Sequence, residues 1–260
     1  MSSLTHSTPY PDINAVLRLL LTNVQQVLGD QLVGMYLHGS LASGDFEPLT
    51  SDVDFVVVTA ERLPEATVAE LEVMHARLLA SGMDWANKLE GTYFPRRDLR
   101  RYRSSDALYP SLNEAKFYMG GHGSDWVIGS YILREHGLTL AGPPPQSLID
   151  PVAPEELRQA TRELLREWWA PMLEDTARLR GSDYQAYATL TMCRALYTLE
   201  HGAVVSKPAA AGWAREVLGG RRAALIERAL AWRPGMQLDA LDELLGLIRY
   251  TLDRSSGLSV

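Results

Sequence analysis

Residues 38–59 constrain the fold of this chain more than any other stretch. Val53–Thr59 is rich in β-branched side chains and apolar at almost every position, which is typical of a strand buried on both faces in the middle of a sheet. Side chains two positions apart along a strand share one face. Asp52 and Asp54 therefore point the same way, and the sequence predicts a central strand that opens with two parallel carboxylates.

Composition places the chain among globular proteins and limits its partners. With 260 residues, of which 46% are hydrophobic, it is long enough for one large domain or two ordinary ones. The formal charge of -7 argues against nucleic acid as a partner and favours metal ions and small cationic molecules. No segment has the features of a signal peptide or of a transmembrane helix. We expect a cytoplasmic monomer without membrane contacts, and a single cysteine, Cys193, is compatible with that compartment.

Hydrophobic periodicity predicts the elements around the central strand. Apolar residues recur at helical spacing over 12–28, and an apolar run over 32–38 is typical of a buried strand that leads into the Gly39-Ser40 turn. The remaining predictions are a loop over 41–51, a helix over 64–80, a strand over 85–94, a surface loop or short helix over 96–109, and a helix over 125–136.

The second half of the chain changes character after a proline run. Ala-Gly-Pro-Pro-Pro at 141–145 can continue neither a helix nor a central strand, and it indicates a stiff connector. Beyond Asp150 the pattern predicts helices alone, over 154–179, 184–201, 208–218, 220–232 and 237–253. We therefore predict an α/β (α+β) domain with a mixed sheet over 1–150, followed by an all-α helical bundle domain over 151–260.

The acidic pair suits metal-assisted transfer of a phosphoryl or nucleotidyl group. Mg²⁺ takes oxygen ligands and is usually held by one or two carboxylates together with the phosphates of a substrate. Glu90 lies on the predicted strand 85–94, where a third carboxylate could accept the proton of an attacking hydroxyl. An isolated Asp-x-Asp pair is most often solvated or caps a strand. Here the Gly39-Ser40 turn precedes it at the distance of a short loop, and Ser51 adjoins it, which favours the catalytic interpretation.

These motifs resemble the nucleotidyltransferase superfamily related to DNA polymerase β, whose signature is Gly-Ser, a short loop and Asp-x-Asp. Three further blocks are similar to the aminoglycoside (3'')(9) adenylyltransferases, and Lys207 follows the last of them. They are Leu89-Glu90-Gly91, Leu-Arg-Glu-His-Gly-Leu-Thr-Leu-Ala-Gly-Pro at 133–143, and Leu-Thr-Met-Cys-Arg-Ala-Leu-Tyr-Thr at 190–198. The resemblance covers nearly the whole chain. It implies a nucleotidyltransferase domain over 1–150 and a helical domain over 151–260 that completes the cleft for ATP and acceptor.

The resemblance also implies a reaction and its catalytic residues. The enzyme would be magnesium-dependent and would transfer AMP from ATP to a hydroxyl of an aminoglycoside-type antibiotic, with streptomycin and spectinomycin as the first candidates. Asp52, Asp54 and Glu90 would bind Mg²⁺. Glu90 would also act as the catalytic base toward the acceptor hydroxyl.

The nucleotide site implied by the resemblance draws on both halves of the chain. Gly39 and Ser40 would contact the triphosphate, with support from Ser51 at the other end of the loop. The cations that match phosphate-binding positions are Arg194 and Lys207, and Trp232 matches an aromatic that stacks on adenine. Each also has a plainer explanation, because exposed Arg and Lys are commonly solvated and a tryptophan between helices commonly belongs to the core.

The acceptor is the least determined part of this hypothesis. The family has acidic and amide side chains just before residue 190, where this chain carries Tyr184 and Tyr187, and residues 108–120 contain no tryptophan. Carboxylates that could pair with a polycation are Glu114, Asp125, Asp175 and Asp183. Two alternatives stay open: an adenylyltransferase that modifies a protein side chain or another small hydroxylated acceptor, and a nucleotide-binding sensor without catalysis.

Overall fold

The computed structural model describes residues 8–257, and the chain divides into two compact units between Pro151 and Val152. The first unit holds a mixed six-stranded sheet with helices, and the described part of the second contains helices without strands. The predicted fold class is confirmed. No helix within residues 8–257 combines the length and the apolar character needed to cross a membrane.

The sheet of the first unit has the strand order β5-β4-β3-β2-β1-β6. Its strands are β1 (Leu32–Leu37), β2 (Val53–Thr59), β3 (Leu89–Pro95), β4 (Leu108–Asn113), β5 (Lys116–Gly121) and β6 (Leu138–Ala141). The helices of this unit are α1 (Pro11–Leu28), α2 (Gly39–Ser43), α3 (Glu65–Ala80), α4 (Arg96–Arg100), α5 (Asp125–His136) and α6 (Pro145–Leu148). Strands β2 and β3 run parallel, whereas β1 is antiparallel to both β2 and β6, and β4 to both β3 and β5.

Strand β2 is central, and its apolar side chains are divided between two cores. Val53, Phe55 and Val57 pack with buried residues of α1 and α3, while Val56 and Val58 pack on the opposite face with buried residues of α5. Burying one such side chain contributes about 1.5–3 kcal/mol. Helices cover both faces, so the register of β2 is fixed and with it the direction of the acidic residues at its start.

Two local predictions in the first unit are wrong in detail. Residues 39–43 form α2, so the predicted loop over 41–51 begins with helical residues. The strand predicted over 85–94 begins at Leu89, because Ala86–Lys88 form a 3-10 turn after Trp85, whose φ of 72° is left-handed. The prediction of a loop or short helix over 96–109 agrees with the short helix α4, and only the last two residues of this stretch belong to β4, which begins at Leu108.

The second unit consists of packed helices around its own core. They are α7 (Pro154–Leu164), α8 (Ser182–His201), α9 (Lys207–Leu218), α10 (Gly220–Ala231) and α11 (Leu241–Ser255). The single helix predicted over 154–179 is wrong: α7 passes into a π-helical turn, Leu165–Trp169, and then into short 3-10 helices. Pro171 explains part of the break, since proline supplies no backbone N–H to the preceding turn.

Candidate active site

Asp54 and Glu90 lie side by side at the start of the parallel strands β2 and β3. They are register partners, so their Cα atoms face each other across the strand pair and their side chains leave the same face of the sheet. Asp54 has the same parity as Val56, which belongs to the core under α5. The two carboxylates therefore open on the α5 face, and both side chains are half-buried.

Gly39 packs directly against Asp54. Its φ is +64°, and a Cβ at this position would overlap Asp54 Oδ2 and lie 2.8 Å from Asp54 Cγ. The preceding residue ties the same segment to β2, because the backbone N–H of His38 donates to the carbonyl of Asp54 at 3.1 Å. Glycine is thus required for two reasons: the left-handed backbone and the close approach of the carboxylate.

Lys88 contacts the carboxylate of Asp52, the first residue of the Asp-x-Asp motif. Its Nζ lies 3.1 Å from Asp52 Oδ1, and the two side chains are 46% and 36% exposed, respectively. Lys88 ends the 3-10 turn just before β3, two residues before Glu90. The contact with Asp52 brings its ammonium to the carboxylates.

The surroundings of Glu90 raise the pKa of its carboxyl group. The pKa of Glu90 is raised from 4.5 to about 7, chiefly by burial and in addition by the negative charges of Asp52 and Glu114. Lys88 and a hydrogen bond from the backbone N–H of Glu114 act against this rise. A carboxylate whose pKa lies near neutrality can both accept and release a proton at physiological pH.

The carboxylates fit a magnesium ion that arrives with a nucleotide. Within residues 8–257, no three acidic, histidine or cysteine side chains form a complete metal-binding group. Nucleotide-bound Mg²⁺ needs fewer protein ligands, because phosphate oxygens and water complete its octahedron. Asp52 and Asp54 supply two carboxylates on the same face of the sheet, and the side chain of Asp52 is partly exposed to solvent. A third ligand at Glu90 stays a prediction.

The two serines predicted for the nucleotide site lie at either end of the loop that joins α2 to β2. Ser40 is in α2, directly after Gly39, and its carbonyl accepts the N–H of Asp45 at 3.1 Å. The Ser51 hydroxyl accepts the backbone N–H of Glu47 at 3.1 Å. Ser51 thus stabilises the loop next to Asp52, and a contact of either serine with phosphate stays a prediction.

Arg194 and Lys207 belong to the second unit, where Lys207 contacts Tyr187. Tyr187 and Arg194 are seven residues apart on α8 and so share one side of that helix. Lys207, the first residue of α9, holds its Nζ 4.0 Å from the centroid of the Tyr187 ring. A cation over an aromatic face gains about 0.5–2 kcal/mol, so this contact restricts the lysine side chain.

Trp232 has a structural role in the second unit. It follows the last residue of α10, packs against the helical core, and donates from Nε1 to the carbonyl of Met236 at 3.0 Å. The indole thereby closes the turn over 232–236. Adenine stacking by Trp232 stays a prediction.

Sequence reasoning gave no role to Lys88 or Tyr118, which lie beside Glu90, and it named Glu114 only as a carboxylate that could pair with the acceptor. Glu114 and Ala115 form the β4–β5 turn with left-handed φ values of 47° and 61°. Tyr118 is 44% exposed, and burial, followed by the charge of Glu90, raises its pKa. Lys88 could have been found from its position two residues before Glu90. The other two depend on a hairpin that the sequence did not predict.

The remaining acidic candidates for the acceptor are dispersed. Asp125 is the first residue of α5 in the first unit. Asp175 and Asp183 are in the second unit, where Asp175 Oδ1 accepts the N–H of Ala177 at 3.1 Å and Asp183 lies in the first turn of α8. The structure brings Glu114 close to Glu90, and the charges of Asp125 and Glu90 both act on Tyr118, so Asp125 also lies near this site.

Comparisons with known proteins match both halves of the chain to described domains. A model of the nucleotidyltransferase domain matches residues 17–103, and a model of the aminoglycoside adenylyltransferase C-terminal domain matches residues 147–254. An aminoglycoside (3'') (9) adenylyltransferase of Escherichia coli is 27% identical over 247 residues, which cover 87% of this chain and 89% of the relative. A spectinomycin 9-adenylyltransferase of Staphylococcus aureus is 26% identical over 234 residues, covering 86% and 85%.

A solved structure has the same fold. The crystal structure of a spectinomycin adenyltransferase from Enterococcus faecialis with ATP and spectinomycin superposes with a TM-score of 0.71, at 17% identity, over 93% of this chain and 98% of that one. The mixed sheet, the acidic pair after the Gly-Ser segment and the matched domain define a nucleotidyltransferase. With its second matched domain, the chain is similar over most of its length to aminoglycoside (3'')(9) adenylyltransferases.

Proposed function

We propose that this protein transfers AMP from ATP to a hydroxyl group of an aminoglycoside-type antibiotic in a magnesium-dependent reaction. Streptomycin and spectinomycin are the first acceptors, because the relatives named above are adenylyltransferases of such compounds. We further propose that the protein acts as a monomer in the cytoplasm, where ATP is available.

The single observation that supports this proposal most strongly is the pairing of Asp54 with Glu90. It puts a metal-binding carboxylate beside a carboxylate whose pKa is near 7, on one face of a rigid sheet. Nucleotidyl transfer needs both groups: one to hold the ion that accompanies the nucleotide, and one to accept a proton. Parallel strands fix their separation better than loops could.

In the proposed reaction Glu90 accepts the proton of the acceptor hydroxyl. The hydroxyl oxygen forms a bond to the α-phosphorus of ATP, and the bond from that phosphorus to the bridging oxygen breaks. Pyrophosphate leaves with the electron pair, and AMP stays on the acceptor. Holding the two reactants in line lowers the entropic part of the barrier.

Asp52 and Asp54 are the residues that would hold Mg²⁺. The ion, when bound, supplies positive charge that neutralises phosphate oxygens during the transfer. Gly39 lets the Asp54 carboxylate lie against the backbone just before Ser40. Ser40 and Ser51 lie near the loop between α2 and β2, where they would contact the triphosphate. Replacing any of these groups should therefore affect nucleotide use before it affects the fold.

The helical unit would supply the remaining nucleotide contacts. Arg194 and Lys207 provide positive charge for the phosphates, and the Tyr187 ring orders the lysine. Trp232 offers an aromatic face for adenine. The whole helical unit, 152–260, would in this way complete the site for ATP and acceptor.

A resistance assay tests the proposed function. A susceptible bacterial host that expresses the chain should grow at raised concentrations of streptomycin or spectinomycin, and a host that expresses Glu90→Ala should not. Glu72→Ala, on the exposed side of α3, is the matched control and should behave like the wild type. Equal resistance from the wild type and Glu90→Ala, or resistance from neither at equal expression, would contradict the proposal.

A further inference from the structure

Lys88 is the positive charge that faces the carboxylates of the proposed metal site. Its Nζ is 3.1 Å from Asp52 Oδ1, and its charge acts on Glu90 in the opposite direction to that of Asp52. The lysine thus lies within electrostatic range of both acids. An ammonium on a flexible stem is suited to such a place because it can leave without moving the backbone.

The carboxylates need such a counter-charge when no other cation is present. Asp54 and Glu90 are register partners, Asp52 precedes them on the same face, and Glu114 adds a further negative charge near Glu90. Like charges this close repel one another. The chain has three lysines, Lys88, Lys116 and Lys207, and one of them stands at this cluster.

A magnesium ion and Lys88 would compete for the carboxylate of Asp52. Mg²⁺ binds carboxylate oxygens at about 2.0–2.1 Å with a nearly ideal octahedron. An ammonium hydrogen-bonded to Asp52 Oδ1 would then stand within a few ångströms of a divalent cation, where repulsion is strong even near a protein surface. The two cations therefore exclude each other at Asp52.

We propose that Lys88 is the counter-ion of Asp52 in the metal-free protein and that a divalent cation must displace it. This inference rests on the proposed function, since it takes Asp52 as a metal ligand. Free Mg²⁺ then binds weakly, and the ion enters together with the nucleotide, whose phosphates supply further ligands and a new partner for Lys88. Lys88 is a positioning residue in this scheme and takes no proton from the acceptor.

The first test is calorimetric titration of the nucleotide-free, full-length chain with Mg²⁺. Lys88→Met should bind Mg²⁺ more tightly than the wild type by about threefold to tenfold, as expected for the loss of a partly exposed ion pair. Lys88→Arg keeps the charge and should restore weak binding. Lys116→Met removes the same charge from an exposed position on β5 and should change the affinity by less than about twofold. Equal affinities for the wild type and Lys88→Met would overturn the inference.

The second test observes the lysine itself. A chain labelled with ¹³C at lysine Cε gives three lysine signals, which Lys→Arg variants assign. The Lys88 signal should move in Asp52→Asn and again on addition of saturating Mg²⁺, while those of Lys116 and Lys207 stay in place. A Lys88 signal that ignores Asp52→Asn would overturn the inference.

The outcomes separate this inference from the proposed function. If the Lys88 signal does not move but the protein transfers AMP, the counter-ion role of Lys88 is contradicted and the proposed function is supported. Displacement of Lys88 by Mg²⁺ without AMP transfer to any acceptor supports the counter-ion and contradicts the proposed function. Absence of Mg²⁺ binding by the wild type and by Lys88→Met, even with a non-hydrolysable ATP analogue, contradicts both.

Discussion

Asp54 on β2 and Glu90 on β3 are register partners in a parallel strand pair, so their carboxylates project next to each other from one face of the sheet. Strand pairing, more than any loop, defines the site. The consequences of this arrangement can be measured one residue at a time.

Asp54→Asn should lower the rate of AMP transfer by at least about 100-fold, because the amide keeps the shape of the side chain but loses the negative charge that holds a divalent cation. Initial rates at saturating ATP and acceptor measure this. Asp84→Asn, at an exposed position before β3, is the control and should retain wild-type activity. Comparable losses in the two variants would contradict a special role for Asp54.

Glu90→Gln should lower kcat by about 10²–10⁴-fold, the usual contribution of a positioned general base. Because burial raises the pKa of Glu90 to about 7, kcat/KM of the wild type should rise with pH up to neutrality and then level off. The variant has no titrating group at this position and should lack that rise. An identical pH profile at lower amplitude would argue that another group accepts the proton.

Glu90 should also make stability depend on pH in the metal-free protein. The folded chain holds this proton up to about pH 7, whereas an ordinary glutamate with a pKa of 4.5 releases it earlier, so wild-type stability falls as the pH rises through this window. Glu90→Gln does not titrate and should gain up to about 2 kcal/mol relative to the wild type between pH 4.5 and 7. Urea unfolding at several pH values with a chelator present measures the difference. If the difference in unfolding free energy between the wild type and Glu90→Gln does not change with pH, the raised pKa of Glu90 is contradicted.

Gly39→Ala should abolish most activity, because the new Cβ would displace the Asp54 carboxylate. Gly44→Ala is a matched control: Gly44 also has a left-handed φ, of +80°, but nothing lies within 4 Å of its added Cβ. Both variants should lose about 1–2 kcal/mol of folding free energy from the strained backbone. Activity should be lost in Gly39→Ala alone, and assays of both variants at a temperature where both are folded will check this.

Much of the fold could be predicted from local patterns. The helix over 125–136 agrees with α5, and the apolar run Val53–Thr59 agrees with β2, because period and burial are properties of neighbouring residues. The β4–β5 hairpin was missed, since its turn, Glu114-Ala115, has left-handed φ values without the Asn or Gly that would normally mark them.

The site could be predicted in part for the same physical reason. The shared face of Asp52 and Asp54 follows from the alternation of side chains along a strand. The placement of Asp54 beside Glu90 depends on the register of two strands that are separated by a helix, and the ion pair of Lys88 with Asp52 depends on that register too. Such distant pairings are decided by packing of the whole unit, which a single sequence does not encode in any local window.

The transfer of an α-phosphoryl label is the most direct test of the central claim. The full-length chain is incubated with Mg²⁺, streptomycin or spectinomycin, and ATP labelled with ³²P at either the α or the γ position. We predict that the α label appears on the antibiotic, that the γ label is released as pyrophosphate, and that Glu90→Gln does neither at a comparable rate. Label from the γ position on the antibiotic, label on a polypeptide in place of the antibiotic, or no labelled acceptor at all would contradict the account.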